Sequence, residues 1–285
     1  MSKIVYTSEE LTRPFPLTSP YQIMRNLLNK QELILACARR DFHASYRETL
    51  LGAVWPVLSP LIMLAMFTLV FGYIFGGRFD QSAHETPAEF ALALFVGLSL
   101  YMCVGNTLTS APSLILGNAG YVKTLSFPLE VLSVSADLNL LANLLIGLGL
   151  CVLGFLAIHG FLHWTAVFLV PLVVCIGLMS LGLSWLLSAL GVFVRDLPSV
   201  TSPVSTVLMF VSGVFFPISS IPRKIVWFFE INPIAIIIDQ ARGCLLYGKI
   251  PNLIVLAAML VISFAFAVGG YWFFMRTKPA FADVL

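Results

Sequence analysis

The segment 243–250 has the spacing of a nucleotide-binding loop. It reads G-C-L-L-Y-G-K-I. The pattern that it approaches, G-x-x-x-x-G-K-[ST], cradles phosphates with backbone amides and binds Mg²⁺ with its final hydroxyl. Ile250 occupies the place of that hydroxyl, and the residues before the segment do not predict the strand that such a loop follows. We therefore interpret the match as coincidental and expect no ATP site in this chain.

Two acidic residues near the start of a long apolar run could carry a proton. Glu130 falls in the first turn of the predicted helix, where the helix dipole favours a carboxylate. Asp137 lies deeper, close to Asn139 and Asn143. Because ionisable residues inside a membrane usually have a function, we consider two interpretations of Asp137. We favour a polar seam between helices over a proton-carrying site.

Histidine and cysteine residues are not arranged as a metal centre or a catalytic set. His159 and His163 are four residues apart, but they flank Gly160 in a predicted turn at the membrane surface. No two cysteines have C-x-x-C spacing, and most stand in apolar runs, where they behave as small hydrophobic residues. They are Cys37, Cys103, Cys151, Cys175 and Cys244. We expect no metal site, no cofactor and no enzymatic activity in this chain.

The composition places all these residues in an all-α integral membrane protein. Hydrophobic residues make up 59% of the chain and charged residues 11%, against roughly 25% charged residues in a soluble domain. A membrane-spanning helix needs about 20 apolar residues. We predict six spans, at 54–75, 90–111, 128–158, 164–194, 200–216 and 253–275.

The positive charges predict that both termini are cytoplasmic, in a multi-pass protein of the bacterial inner membrane without a signal peptide. Seven cations precede the first span: Lys3, Arg13, Arg25, Lys30, Arg39, Arg40 and Arg47. Six spans place Lys123, Arg195, Arg276 and Lys278 on the same side, as the positive-inside rule requires. The net charge of +2 gives no reason to expect a nucleic-acid partner.

The stretch 217–249 is the exception to this regular pattern. Pro217, Glu230 and Pro233 divide it into apolar pieces that are too short to cross a membrane. Non-helical backbone at membrane depth is tolerated only within protein or beside a water-filled cavity. We therefore predict a pair of short re-entrant helices at the outer face. Asp239 and Arg242, three residues apart, could pair on one helix face.

An amphipathic helix is predicted before the first span. Ser19, Pro20 and Gln22 form a helix start with a capping box, and apolar residues then recur at helical spacing through Phe42 opposite a cationic side. Such a helix lies in the membrane interface, and we favour a simple anchor. A second interpretation is the wall of a lateral entrance, formed by Arg39, Arg40, Arg47, Leu51, Gly52 and Trp55.

Aromatic residues are concentrated in the outer halves of the first and fifth predicted spans. Their faces could stack on sugar rings, although packing against other helices is the interpretation that we favour. The candidate channel-lining residues are Phe67, Phe71, Tyr73, Phe210, Phe215 and Phe216.

The order of several short motifs resembles a known family. The run Arg39–Arg40–Asp41–Phe42, Tyr46–Arg47, Leu51–Gly52 and Trp55–Pro56 is similar to the start of permeases from polysaccharide-exporting ABC transporters. Further similar motifs are Phe127–Pro128–Leu129–Glu130, Arg195–Asp196, Ser212–Gly213–Val214–Phe215–Phe216–Pro217 and Asn232–Pro233. The nearest subgroup exports O-antigen and related cell-surface glycans, and the exporters of capsule and of teichoic acid are also similar.

The resemblance implies a homodimer of this chain with two copies of an ATP-binding cassette subunit, which holds the ATP and Mg²⁺. Coupling to that subunit would involve Asn118, Gly120, Tyr121, Val122, Lys123, Arg195 and Asp196. A lipid-linked glycan would enter beside the amphipathic helix and leave past the re-entrant helices. The first and fifth spans would line the channel at the dimer interface.

These features divide the chain into three parts: a cytoplasmic tail with the interface helix at 1–48, a six-span permease domain at 49–275, and a cytoplasmic C-terminal tail at 276–285. Three alternatives remain open. The chain could belong to an ABC exporter of drugs or lipids, to an ion-coupled carrier, or to a membrane-embedded enzyme that processes glycans.

Overall fold

The computed structural model describes residues 20–46, 54–74, 86–122, 127–216, 222, 224 and 226–284. Every regular element in this part of the chain is a helix. Five helices are long and apolar enough to cross a membrane: Trp55–Ile74, Pro87–Gly117, Glu130–His159, Trp164–Phe193 and Leu253–Ala280. We refer to them as the first, second, third, fourth and last spans. The predicted all-α membrane fold is confirmed.

The fifth predicted span is shorter than the sequence pattern suggested. It is the apolar helix Leu197–Val211, the fifth helix hereafter, which has 15 residues and therefore a length of about 22 Å, against about 30 Å for the hydrocarbon core. Residues 212–216, predicted to be helical, form a turn. Gly213 takes a positive φ of 64° there, a backbone conformation that favours glycine. The count of six spans therefore stays a prediction.

Two short helices follow this turn, as the sequence predicted. They are Val226–Ile231 and Pro233–Leu245, and we call them the paired helices. The Asn232 side chain caps the second of them by accepting a hydrogen bond from the Ile234 amide at 3.0 Å, and Pro233 suits the first helical position. Whether they re-enter the membrane stays a prediction.

The single amphipathic helix expected before the first span is divided into two interface helices, Pro20–Leu28 and Gln31–Tyr46. The break occurs at Asn29 and Lys30. Ile34 and Cys37 are buried against Val131 of the third span. The predicted apolar side is only partly covered, since Met24 and Leu28 are exposed.

The second span is the centre of the bundle. In its most apolar stretch 83% of the residues are buried, whereas the corresponding share for the first span is 6%. The fourth and last spans pack closely, because a Cβ atom on Gly270 would lie 2.2 Å from the Gly182 carbonyl oxygen. The first span is thus attached to a core formed by the others.

Contacts between distant residues define two ends of the bundle. At one end, which we call the Glu130 end, Lys30 and Lys278 meet Glu130. At the other, the Arg242 end, His159 pairs with Glu89 at 2.7 Å, and Arg242 reaches Ala93. Successive spans therefore run in alternating directions between the two ends.

Candidate functional site

The predicted coupling loop forms two single-turn helices at the Glu130 end, Leu114–Gly117 and Ala119–Val122, and we call residues 114–122 the coupling segment. Asn118 joins them: its side-chain amide donates to the Leu114 carbonyl at 2.9 Å, and its own carbonyl accepts from the Tyr121 amide at 2.9 Å. Gly120 is exposed, and a Cβ atom there would meet nothing within 4 Å. Lys123 lies outside the described residues.

Tyr121 connects the coupling segment to an interface helix. Its ring stacks on Phe127 with centroids 4.4 Å apart, and the Arg40 guanidinium carbon lies 5.6 Å from its centroid. Arg40 also donates a hydrogen bond to the Tyr121 hydroxyl. Asp41 accepts from Arg40 at 2.8 Å and raises the pKa of that guanidinium. The structure thus brings a predicted coupling residue and a predicted entrance residue into contact.

The other predicted entrance and coupling residues are more dispersed. Arg39 is exposed and Trp55 is half-buried, while Arg47, Leu51 and Gly52 lie outside the described residues. Arg195 and Asp196 are exposed in the loop before the fifth helix. Leu197, the next residue, packs with Leu108 and Ala111 close to the start of the coupling segment. Both internal loops therefore meet at the same end of the bundle.

Glu130 has a larger role than its position in the first helical turn indicated. Its carboxylate is 3% exposed and accepts hydrogen bonds from Lys30 and, at 2.7 Å, from Lys278. Three parts of the chain are joined here: the break between the interface helices, the start of the third span and the end of the last span. The lysines are 100 and 148 residues away, so no local sequence pattern could have identified them.

The predicted C-terminal tail is packed on the same end. Residues Lys278–Ala280 and Phe281–Val284 form short helices. Phe281 is fully buried, with ring centroids 5.5 Å from Phe274 and 5.9 Å from Phe193. Because Phe193 ends the fourth span, the tail braces the loop that carries Arg195 and Asp196.

Four of the six candidate channel aromatics lie together. Ring centroids are 5.8 Å apart for Phe67 and Phe71, 6.1 Å for Phe71 and Phe215, and 5.2 Å for Phe210 and Phe215. We call these four residues the aromatic cluster. It joins the first span to the turn after the fifth helix and packs on Phe90 of the second span. Phe210 remains 50% exposed, so the cluster has a free side.

The remaining two aromatics point elsewhere. Tyr73 is 74% exposed on the first span, and Phe216 contacts Phe229 of the paired helices at 5.8 Å. Sequence reasoning missed that residues Thr68–Ile74 form a π-helix, a geometry that is frequent at functional sites. Gly72 lets this segment approach Pro87, whose Cβ would lie 2.8 Å from an added methyl group.

Asp137 is buried between spans, and its Oδ1 atom has no hydrogen-bond partner among the described residues; the favoured polar seam stays a prediction. Asp137 contacts Ser180 of the fourth span. The Ser180 hydroxyl lies 2.6 Å from that of Thr107 in the second span, which also bonds to the Cys103 carbonyl at 2.9 Å. Asn143 is not part of this contact, and instead lines a cavity of about 270 Å³ between the first three spans.

The loop-like segment 243–250 and the two histidines near Gly160 all make packing or pairing contacts. The segment 243–250 lies at the C-terminal end of a helix, whereas a phosphate-binding loop precedes a helix N-terminus. His159 pairs with Glu89, and His163 packs on Gly248. Within the described part of the chain, no group of three or more His, Cys, Asp or Glu residues could hold a metal ion.

Arg242, which the sequence predicted could pair with Asp239 on one helix face, is a buried residue. It is 4% exposed and donates to the carbonyl oxygens of Ala93, Gly213 and Val214 at 2.7, 2.7 and 2.5 Å. Asp239 is exposed. The spacing from Asp239 singled out Arg242, but it did not predict these carbonyl partners, which lie 149, 29 and 28 residues away.

Comparison with known proteins places these features in context. The sequence profile of the ABC-2 type transporter family matches residues 32–246. The chain is also similar to the O-antigen export system permease protein RfbA of Myxococcus xanthus, with 24% identity over 265 residues that cover 92% of this chain and 98% of the relative. An RfbA protein of Klebsiella pneumoniae is 22% identical, covering 89% and 95% of the two chains. The family profile covers most of the helical bundle, the coupling segment and the aromatic cluster, and this protein is a member of the ABC-2 type transporter family.

Proposed function

We propose that this chain is the permease subunit of an ABC exporter that moves a lipid-linked polysaccharide, of the O-antigen type, outward across the bacterial inner membrane. The observation that carries the proposal is the similarity over nearly the whole length of permeases named for O-antigen export. Both termini are cytoplasmic in this proposal. ATP and Mg²⁺ are bound by a separate ATP-binding cassette subunit, and this chain has no ATP site of its own.

Two copies of this chain pair with two ATP-binding subunits. The poor burial of the first span supports this arrangement, since its apolar residues have few partners within one chain. The fifth helix likewise exposes Val200, Val204, Val207 and Phe210. Lipid can cover such surfaces, but two adjoining poorly packed helices also offer a second copy a large contact and leave room for a channel between the copies.

The coupling segment passes the motion of the ATP-binding subunits to the entrance. When the nucleotide-bound subunits close, they displace the segment that contains Asn118 and Gly120. Tyr121 moves with it, and its contacts with Arg40 and Phe127 carry the displacement to the interface helix. The cationic side of that helix, with Arg39 exposed, suits the phosphate of a lipid-linked substrate.

The aromatic cluster forms part of the path that the sugar chain follows. Aromatic faces bind sugar rings through many weak contacts, so a chain is held without a single deep trap. Both the exposed side of Phe210 and the contact of Phe71 with Phe215 support this role. The paired helices beyond Phe216 shape the exit.

The test is isolation of the tagged chain from its native membrane in mild detergent, followed by mass spectrometry. We expect an ATP-binding cassette subunit at equal stoichiometry, and deletion of the gene should abolish surface glycan. Recovery of the chain without any ATPase would contradict the proposal. A partner ATPase with intact surface glycan but altered drug sensitivity would transfer the assignment to the drug- or lipid-exporting alternative.

A further inference from the structure

The fifth helix ends inside the protein, and its last carbonyl groups need hydrogen-bond donors. A helix leaves the carbonyls of its final turn without internal partners, and at membrane depth water does not supply them. Here the paired helices provide the donors. The Asn232 amide donates to the Val211 carbonyl at 3.3 Å and to the Ser212 hydroxyl at 3.1 Å.

Arg242, farther along the helix that Asn232 caps, completes this set of donors. Two of its bonds go to Gly213 and Val214, immediately after the fifth helix, and the third goes to Ala93 in the second span. A positive charge also suits the negative end of a helix dipole. The guanidinium thus fixes the turn against the centre of the bundle from two directions.

Gly97 provides the space that this arrangement requires. A Cβ atom at this position would lie 2.2 Å from Nη2 and 3.0 Å from Cζ of Arg242. The Arg242 guanidinium therefore occupies the space that a side chain at position 97 would need. Gly97 lies one helical turn after Ala93, whose carbonyl accepts a hydrogen bond from Arg242. Such a fit indicates that the position of Arg242 is specific.

We propose that Arg242 is the positioning residue of the aromatic cluster. The turn that it fixes continues directly into Phe215, which contacts Phe71 and Phe210. Arg242 need not touch a substrate to set the separation of these rings. The relevance of this role to export rests on the proposed function, whereas the geometric claim does not.

The geometric claim is tested by thiol crosslinking of the full-length chain in membranes, with the five buried native cysteines replaced by alanine. One cysteine pair replaces Phe71 and Phe215. A control pair replaces Ser133 and Ser188, whose hydroxyl oxygens are 3.3 Å apart in the packing of the third and fourth spans. Short bifunctional thiol reagents report the proximity of each pair.

Arg242→Gln should reduce crosslinking of the 71/215 pair about tenfold, the change expected when a hydrogen bond to a charged group is lost. The 133/188 pair should be unaffected. Arg242→Lys, which keeps the charge and one donor direction, should recover part of the yield. Unchanged 71/215 crosslinking would overturn the proposal, and equal loss in both pairs would show a general structural role instead.

Gly97→Ala provides a matched variant that leaves Arg242 itself intact. Its methyl group should displace the guanidinium and reduce the 71/215 yield in the same way. Gly149→Ala is the control, because a Cβ there meets nothing within 4 Å. Equal yields in the two alanine variants would contradict the proposal.

Surface glycan is measured separately in chains that keep all four rings of the cluster and carry only Arg242→Gln or Gly97→Ala. Loss of glycan together with loss of 71/215 proximity supports both the positioning role and the proposed function. Loss of proximity with normal export leaves the positioning role in place and removes the aromatic cluster from the transport path.

Discussion

The two ends of the bundle stabilise buried charge by different means. At the Glu130 end, one buried carboxylate meets the ammonium groups of Lys30 and Lys278, which are 32% and 28% exposed. At the Arg242 end, a buried guanidinium meets backbone carbonyls of the second span and of the turn after the fifth helix. The contacts at the Glu130 end are between side chains, two of which are partly exposed. The contacts at the Arg242 end are between one side chain and buried backbone carbonyls.

This difference indicates which end is suited to movement. A partly exposed lysine can exchange the carboxylate for water at moderate cost while the other lysine keeps the buried Glu130 paired, so contacts at the Glu130 end can change during a cycle. At the Arg242 end, three buried backbone carbonyls lose a charged donor if Arg242 leaves. The end with the coupling segment is therefore adaptable, and the end with the aromatic cluster is fixed.

The largest effect on stability is expected from Arg242→Leu. Three carbonyl acceptors lose a charged donor, so the free energy of unfolding should fall by about 3 kcal/mol or more. An unfolding titration of the purified chain in mixed micelles with SDS measures this change. A loss below about 1 kcal/mol would mean that the Arg242 end is no more rigid than the Glu130 end.

A smaller effect is expected from Glu130→Gln, because both lysines can regain water. We expect a loss of about 1 to 2 kcal/mol, measured in the same titration. High salt should narrow the difference between this variant and the original chain, since partly exposed charges are screened. The difference caused by Arg242→Leu should not depend on salt, and equal salt dependence at both ends would remove the distinction.

Phe71→Ala removes a half-buried ring at the Arg242 end, and Tyr73→Ala, on the same π-helix, is its control. The quantity compared is the loss in the free energy of unfolding. Phe71 contacts Phe67 and Phe215, so its loss should cost about 1 kcal/mol. Tyr73 is 74% exposed, and its loss should stay within about 0.5 kcal/mol. If Phe71 lines the path, glycan export per membrane-inserted chain should fall in that variant; unchanged export would assign the ring to packing alone.

The smallest effect on stability is expected from Tyr121→Phe, which removes one hydroxyl and keeps the ring on Phe127. The free energy of unfolding should change by less than about 0.5 kcal/mol, while export falls several-fold because Arg40 is no longer held. A double-mutant cycle with Arg40→Gln measures the link. The double variant should be no worse than the poorer single variant, and additive losses would show that the two residues act separately.

Much of the helical architecture could be predicted because each element is specified locally. Long apolar runs gave the first four spans and the last to within a few residues, and Asn232 with Pro233 marked the start of the longer paired helix. Two local predictions were imprecise. The interface helix is divided at Asn29 and Lys30, and the fifth helix ends at Val211 because the following turn is held by other helices.

The candidate site was predicted as separate residues rather than as an arrangement. The coupling, entrance and channel residues were selected by type, position and resemblance, and each set remains a proposal. Their spacing gave no indication that Tyr121 meets Arg40, 81 residues away, or that Phe71 meets Phe215. The π-helix that carries Phe71 and Tyr73 also had no local signal, and the contact of its Gly72 with Pro87 joins it to the second span.

The sequence by itself determined that this is a membrane protein and where its helices lie. The insertion of an apolar run into lipid depends on the composition and length of that run. The sequence also carried the ordered motifs that identify the family. Only the tertiary structure decided which charges are paired and which rings form the cluster. Lys30 lies 100 residues from Glu130, and Arg242 lies 149 residues from Ala93. Such partners are fixed by how the spans pack, and helical periodicity places no constraint on residues so far apart.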